Sequence, residues 1–184
     1  TFLIGLKVNS AEQFNFDVTE VEILENGNLF KGLKRGAIST NDGIIINANQ
    51  FEYNKILNKV DATGNVEVID TNNNYKIYSE SITYFKNKEI ISSKGQSKAL
   101  LQEVIITGDI FNYIKKENIF NVKKNVKIID TIEDVVIFSE DITYNKNQER
   151  VFSKGNTNSI IQSKYDFNSK DVLFLRDKMI LSSS

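Results

Sequence analysis

The chain contains no cysteine, no histidine and no proline. Without the first two it has no thiolate nucleophile, no imidazole base and none of the usual zinc and copper ligands. A Ser-His-Asp enzyme is excluded outright. Chemistry by paired carboxylates, as in glycosidases, stays open, and Glu80 and Glu140 are the residues that repetition nominates for it. Each follows a Ser at the end of an apolar strand and recurs at the same place in two units, which is how a solvated turn residue behaves. The reading is therefore a non-enzyme, with no catalytic residue, no cofactor and no metal site.

An excess of one charge is missing too. The 23 basic residues meet 24 acidic ones, which leaves no electrostatic footprint for nucleic acid and no polybasic patch for a membrane surface. No apolar run approaches the ~18 residues of a membrane-spanning helix. With no proline and no Gly/Ser-rich linker, one domain is expected. The lack of cysteine offers no disulfide staple and fits a bacterial periplasm. Only one Met occurs, at Met179. The opening Thr1-Phe-Leu-Ile-Gly-Leu-Lys-Val-Asn-Ser-Ala11 reads as the tail of a secretory signal peptide, cut after Ser10 or Ala11, though an ordinary first strand is the other reading. The expected layout is a signal remnant at 1–11 and one β domain at 12–184, cut short at both ends.

Repetition is what the chain has in place of these. Tyr78-Ser-Glu-Ser-Ile-Thr-Tyr-Phe-Lys-Asn87 returns 60 residues later as Phe138-Ser-Glu-Asp-Ile-Thr-Tyr-Asn-Lys-Asn147. The same offset carries Val66 and Asp70 onto Val126 and Asp130, and Ser93-Lys-Gly95 onto Ser153-Lys-Gly155, without a gap. Such spacing marks stacked structural units, because one unit cannot bury its apolar face alone. Within each unit lies a half-repeat, an apolar residue two places before a Tyr: Phe51/Tyr53, Ile82/Tyr84, Phe111/Tyr113 and Ile142/Tyr144. An Asn- and Lys-rich turn follows each, then a short apolar run, then Gly64, Gly95, Lys124 or Gly155.

Val, Ile, Phe, Tyr and Thr alternate with polar residues at period two, so the elements are strands. Phe14 to Val18 alternates cleanly and Val21-Glu-Ile23 on the opposite parity, which places a bend near Thr19-Glu20. Glu25-Asn-Gly27-Asn28 and Asn41-Asp-Gly43 carry tight-turn chemistry. The fold class is all-β, and a stack of strand pairs can close as a β-helix, a jelly roll or an open rolled sheet. Side-chain parity puts Phe51, Tyr53, Val66, Val68, Ile82 and Tyr84 on one face, with Phe111, Tyr113, Val126, Ile128, Ile142 and Tyr144 continuing it.

The frame Ala48-Asn-Gln-Phe-Glu-Tyr53 followed by Val60-Asp-Ala-Thr-Gly-Asn-Val66, with its variants from Ile82-Thr-Tyr84 to Gly95 and from Ile142-Thr-Tyr144 to Gly155, resembles the OstA-like lipopolysaccharide transport family. The resemblance spans about Phe14 to Leu175, with Lys124 standing where the frame prefers Gly. It implies an open β-jelly roll whose apolar groove takes lipid A acyl chains while sugars and phosphates stay outside, with the twelve residues above as its lining. The stretch Phe14 to Gly27 is more similar to the start of the outer-membrane translocon's N-terminal periplasmic domain than to the family's free bridge protein. Further implications are a periplasmic location at the outer membrane and head-to-tail docking. The edge strand with Phe14, Phe16 and Val18 would receive the homologous bridge protein. An outer-membrane lipoprotein would be a partner of a translocon domain. The competing expectation is a structural β-solenoid or adhesin module without lipid binding.

Overall fold

The computed structural model describes residues 14–183, so the expected signal remnant at 1–11 lies outside the described residues. The chain opens with β1 (Asn15–Asp17), β2 (Val21–Leu24), β3 (Leu29–Gly32), β4 (Gly36–Ser39), β5 (Ile44–Ala48) and β6 (Gln50–Asn54). Six long strands follow: β7 (Lys59–Asp70), β8 (Tyr75–Phe85), β9 (Ile90–Leu101), β10 (Val104–Ile114), β11 (Ile119–Asp130) and β12 (Val135–Asn145). The series ends with β13 (Arg150–Ser153), β14 (Asn156–Ile161), β15 (Tyr165–Lys170), β16 (Val172–Leu175) and β17 (Ile180–Ser183). All belong to one antiparallel sheet.

Each long strand pairs with its neighbour twice, on either side of a break in register. Between β7 and β8 the pairs run from Lys59↔Phe85 to Thr63↔Ser81 and resume from Val66↔Ser79 to Asp70↔Tyr75. The shorter strands are the same element interrupted at the break, since β6 pairs with the first part of β7 and β5 with the second. The break falls at Gly64 (φ +77°), Gly95 (φ +87°), Lys124 (φ +64°) and Gly155 (φ +84°), with Asn65 (φ +47°) and Asn125 (φ +52°) also left-handed beside the first and third. These residues therefore bend strands, and Lys124 holds the bend without glycine. The bend expected near Thr19-Glu20 separates β1 from β2, where Leu33 N–H donates to the Glu20 carbonyl at 3.2 Å.

The sheet thus folds over itself along a line of β-bulges, with its hairpins in two rows along the opposite side. Among the described residues no strand pairing joins the two rows, so the sheet is not closed into a barrel. This is the open jelly roll of the sequence reading. Because every strand pairing is antiparallel, with β1 on β4, β3 on β6 and β13 on β16 where the strands are split, the stack is a folded meander and not a solenoid of parallel coils.

The two inner faces form one continuous core from Phe14 and Ile38 to Val151 and Phe174. Rings mesh along it: Tyr113 stacks on Phe120 at 4.3 Å between centroids, and Tyr75 meets Phe120 edge-on at 5.7 Å. Each such buried side chain contributes roughly 1.5–3 kcal/mol.

Candidate functional site

The twelve residues assigned to one face all point into the fold, from fully buried Tyr84, Tyr113 and Tyr144 to Tyr53 at 9 % exposure. The structure brings them together as the lining of the interior, in contact with one another. Lys76, alternating with Tyr75 and Ile77 on β8, is exposed on the outer face. Burial pushes the hydroxyls of Tyr84, Tyr113 and Tyr144 well above the ordinary phenol range, and that of Tyr75 up to about 12, so all four are neutral at any physiological pH. A largely apolar interior of this kind can hold hydrocarbon by burial alone.

The ends of the stack carry partly exposed apolar side chains. At the N-terminal end Phe14 is buried against Tyr53 and Tyr84 and is covered by the fold itself. Phe16, 39 % exposed, caps the core by packing on Phe30 and Tyr53, with Val18 half-buried beside it. Among the described residues strand β1 pairs on one side only, with β4, and Ile23 on β2 is 61 % exposed. At the C-terminal end β15 pairs, among the described residues, only with β14. Its Tyr165 and Phe167 share the inner face of Ile161 and Ser159 yet are about half exposed. Both ends thus present a free strand edge beside uncovered apolar side chains.

Along the hairpin side the two rows meet through side chains, which sequence reasoning did not foresee. Asp42, in the turn after β4, is held by Lys86 Nζ at 2.6 Å and Lys115 Nζ at 3.4 Å from the opposite row. Burial opposes its ionisation, but the nearby Lys86, Thr40 and Lys115 groups, two of them ammonium charges, hold its carboxyl at about 2. Tyr113 Oη donates to Asp70 Oδ2 at 2.9 Å. Arg176 reaches both Asp130 and Glu149. Burial works against Glu149 as well, yet Lys146 and Arg176 keep its carboxyl below the usual range. Asp70 and Asp130, matched by the 60-residue repeat, also accept the N–H groups of their own hairpins at 3.1 Å: Asn72 and Asn73, and Ile132 and Glu133.

A second seam follows the bends. Ser97 Oγ lies 2.7 Å from Ser93 Oγ and donates to Ser79 Oγ at 3.0 Å, and one repeat later Thr157 lies 2.7 Å from Ser153 and 3.2 Å from Ser139. These hydroxyls satisfy one another where the ladder is broken. Glu80 and Glu140 sit beside this seam, exposed and mid-strand on β8 and β12 rather than in turns.

No protein-family model matches the sequence, and no curated protein matches it. Among solved structures, similarity is found to LptH, the LptA-homologous periplasmic component of the lipopolysaccharide transport device of Pseudomonas aeruginosa. The TM-score is 0.56 at 14 % identity, over 60 % of this chain and 82 % of that one. The chain has the LptH fold. At that identity the likeness to LptH concerns architecture, and the OstA-like frame read from the sequence agrees with it. The wild-type TCP10 domain of Danio rerio CPAP aligns over 82 % of this chain at 11 % identity, but its TM-score of 0.17 carries no argument.

Proposed function

We propose that this chain is a periplasmic domain of lipopolysaccharide transport, in which lipid A acyl chains enter between the folded halves of the sheet and move along the interior. The observation that carries this reading is the core itself: one apolar interior, unclosed by backbone among the described residues, running the length of the stack and flanked at both ends by exposed apolar side chains. Its fold likeness to a transport component supports the same reading. Phe51, Tyr53, Val66, Val68, Ile82, Tyr84, Phe111, Tyr113, Val126, Ile128, Ile142 and Tyr144 are the proposed acyl contacts. Because they touch one another, a guest must part the two halves, and the hairpin side is where only side chains hold them.

The exposed strand β1 with Phe16, and β15 with Tyr165 and Phe167, are the proposed docking edges for like domains, β1 for the bridge protein. A domain spanning 12–184 behind a signal peptide, an outer-membrane location and a lipoprotein partner belong to the translocon form of this proposal. A photoreactive residue at Tyr84 or Tyr113 is expected to cross-link lipopolysaccharide, while one at the outward Lys76 is not. A folded sample that cross-links at neither tyrosine removes lipid conduction and leaves a structural module.

A further inference from the structure

Two places after the last inner aromatic of five strands in one half-sheet comes a cation. Lys55 follows Tyr53, Lys86 follows Tyr84, Lys115 follows Tyr113, Lys146 follows Tyr144 and Arg176 follows Phe174. Their placement is fixed by one repeated backbone bond, in which each N–H donates to a carbonyl of the preceding hairpin in the same row: Asn28, Asn58, Glu89, Asn118 and Glu149, at 2.9–3.1 Å. Successive hairpins of this row are two strands apart, so the cations rise by about 10 Å per step. They form a staircase along the side of the fold where no backbone closes it.

Four of the five are drawn into the seam, with side chains only 11–19 % exposed. Each of these meets a carboxylate: Asp42 is shared by Lys86 and Lys115, Lys146 pairs with Glu149, and Arg176 with Glu149 and Asp130. Lys55, at the N-terminal step, is exposed and makes no ion pair among the described residues. Directly above Tyr84 and Tyr113 one carboxylate, Asp42, is shared by two ammonium groups, with Asp70 accepting the Tyr113 hydroxyl beside them. The two chemistries adjoin: hydrocarbon-lined interior below, and a row of cations at the seam that would have to part.

We propose that this row is a phosphate-binding staircase for a lipid whose headgroup carries phosphomonoesters. On this view the headgroup phosphate takes the place of Asp42, and further along of Asp130 and Glu149, so the seam opens by exchanging one anion for another. The inference rests on the lipid reading given above and names the residues that hold the headgroup. A phosphate dianion offers more charge and more acceptor oxygens than the carboxylate it displaces, which makes the exchange feasible at a half-buried site. The apolar interior directly beneath the cations selects a lipid phosphate over the free ion.

The test uses the full chain carrying a photoreactive residue at Phe111, an inner position away from the ion pairs, and two probes: bisphosphorylated lipid A and the same lipid after enzymatic dephosphorylation. The paired change Lys86→Gln with Lys115→Gln is expected to weaken capture of the phosphorylated lipid about tenfold and leave the dephosphorylated lipid unchanged, while Lys86→Arg with Lys115→Arg restores it. Asp42→Asn removes the competing anion and is expected to strengthen capture. A purely structural ion pair predicts the opposite sign or no change, and either overturns the staircase. Inorganic phosphate is the third probe: if it displaces the lipid at concentrations matching the lipid's own, the row is a free-phosphate site and the headgroup assignment falls. Capture of both lipids alike, indifferent to all the charge changes, refutes the staircase and leaves lipid conduction standing. Capture of neither lipid by the chain with its native lysines refutes both.

Discussion

The bends offer a quantitative check, because the same left-handed conformation is occupied by glycine at three steps and by lysine at the fourth. A residue with a Cβ at φ near +60° to +90° costs about 1–2 kcal/mol more than glycine, offset by roughly 0.4–1 kcal/mol from the smaller entropy of its unfolded state. Lys124 (φ +64°) is exposed, so Lys124→Gly relieves that strain without removing packing and is expected to stabilise the fold by about 0.5–1 kcal/mol. Gly95→Ala imposes the strain and nothing else, since a Cβ there meets no atom within 4 Å, and is expected to cost about 1 kcal/mol. At Gly64 a Cβ would lie 2.8 Å from Asn49 Nδ2 and 3.0 Å from Asn49 Cβ. The displaced Asn49 would lose the hydrogen bond that its Oδ1 accepts from Arg35 at 3.0 Å. Gly64→Ala is therefore expected to cost about 2–4 kcal/mol, the strain plus an overpacking term of 1–3 kcal/mol. Equilibrium urea unfolding should rank the midpoints Lys124→Gly, native, Gly95→Ala, Gly64→Ala at constant slope. A destabilising Lys124→Gly, or equal losses at Gly64 and Gly95, would refute the account of the bends.

Two further outcomes follow from the same geometry. Phe16→Pro removes a backbone N–H from the free edge and the ring that caps the core; binding to a like domain, followed by sedimentation, should weaken about tenfold while the domain stays folded, with Phe16→Ala separating the ring's share from the edge's. Unchanged affinity would eliminate β1 as the docking edge. Asp42 has a folded-state pKa of about 2 against an ordinary 3.8, so its ion pairs contribute fully above pH 4 and are lost as the pH falls through 2. That contribution is about 2 kcal/mol, and acid unfolding of Asp42→Asn should be flatter than that of the native chain by this amount between pH 4 and 2; identical profiles would show that the seam adds nothing.

The strand class, the repeat and the inward face were legible because period-two alternation and residue identity point the same way. Ile82 and Tyr84 continue the face of Tyr75 and Ile77 although the inner parity changes between Ser79 and Ile82, and it was the recurring Tyr, not counting, that kept the assignment on the right side of the bulge. The role of the glycines closing each half-repeat was not legible, because a left-handed glycine serves a turn or a bend alike, and what separates them is the partner strand, which continues unbroken past Gly64 through Ser81 and Ser79. The cation staircase was hidden for a different reason: lysine is common throughout this chain, and a basic residue two places after each inner aromatic gains meaning only when the hairpins holding it stand in a row opposite Asp42 and Asp130. Phe14 and Phe16 show the limit of pattern reading most plainly. They share a face by parity, yet Phe14 lies inside the stack and Phe16 closes its end, and this difference decides which of them a partner can reach. A sequence repeat specifies the step from one strand to the next and is silent about where the series stops, so the ends, which are the parts open to assembly, had to come from the three-dimensional arrangement.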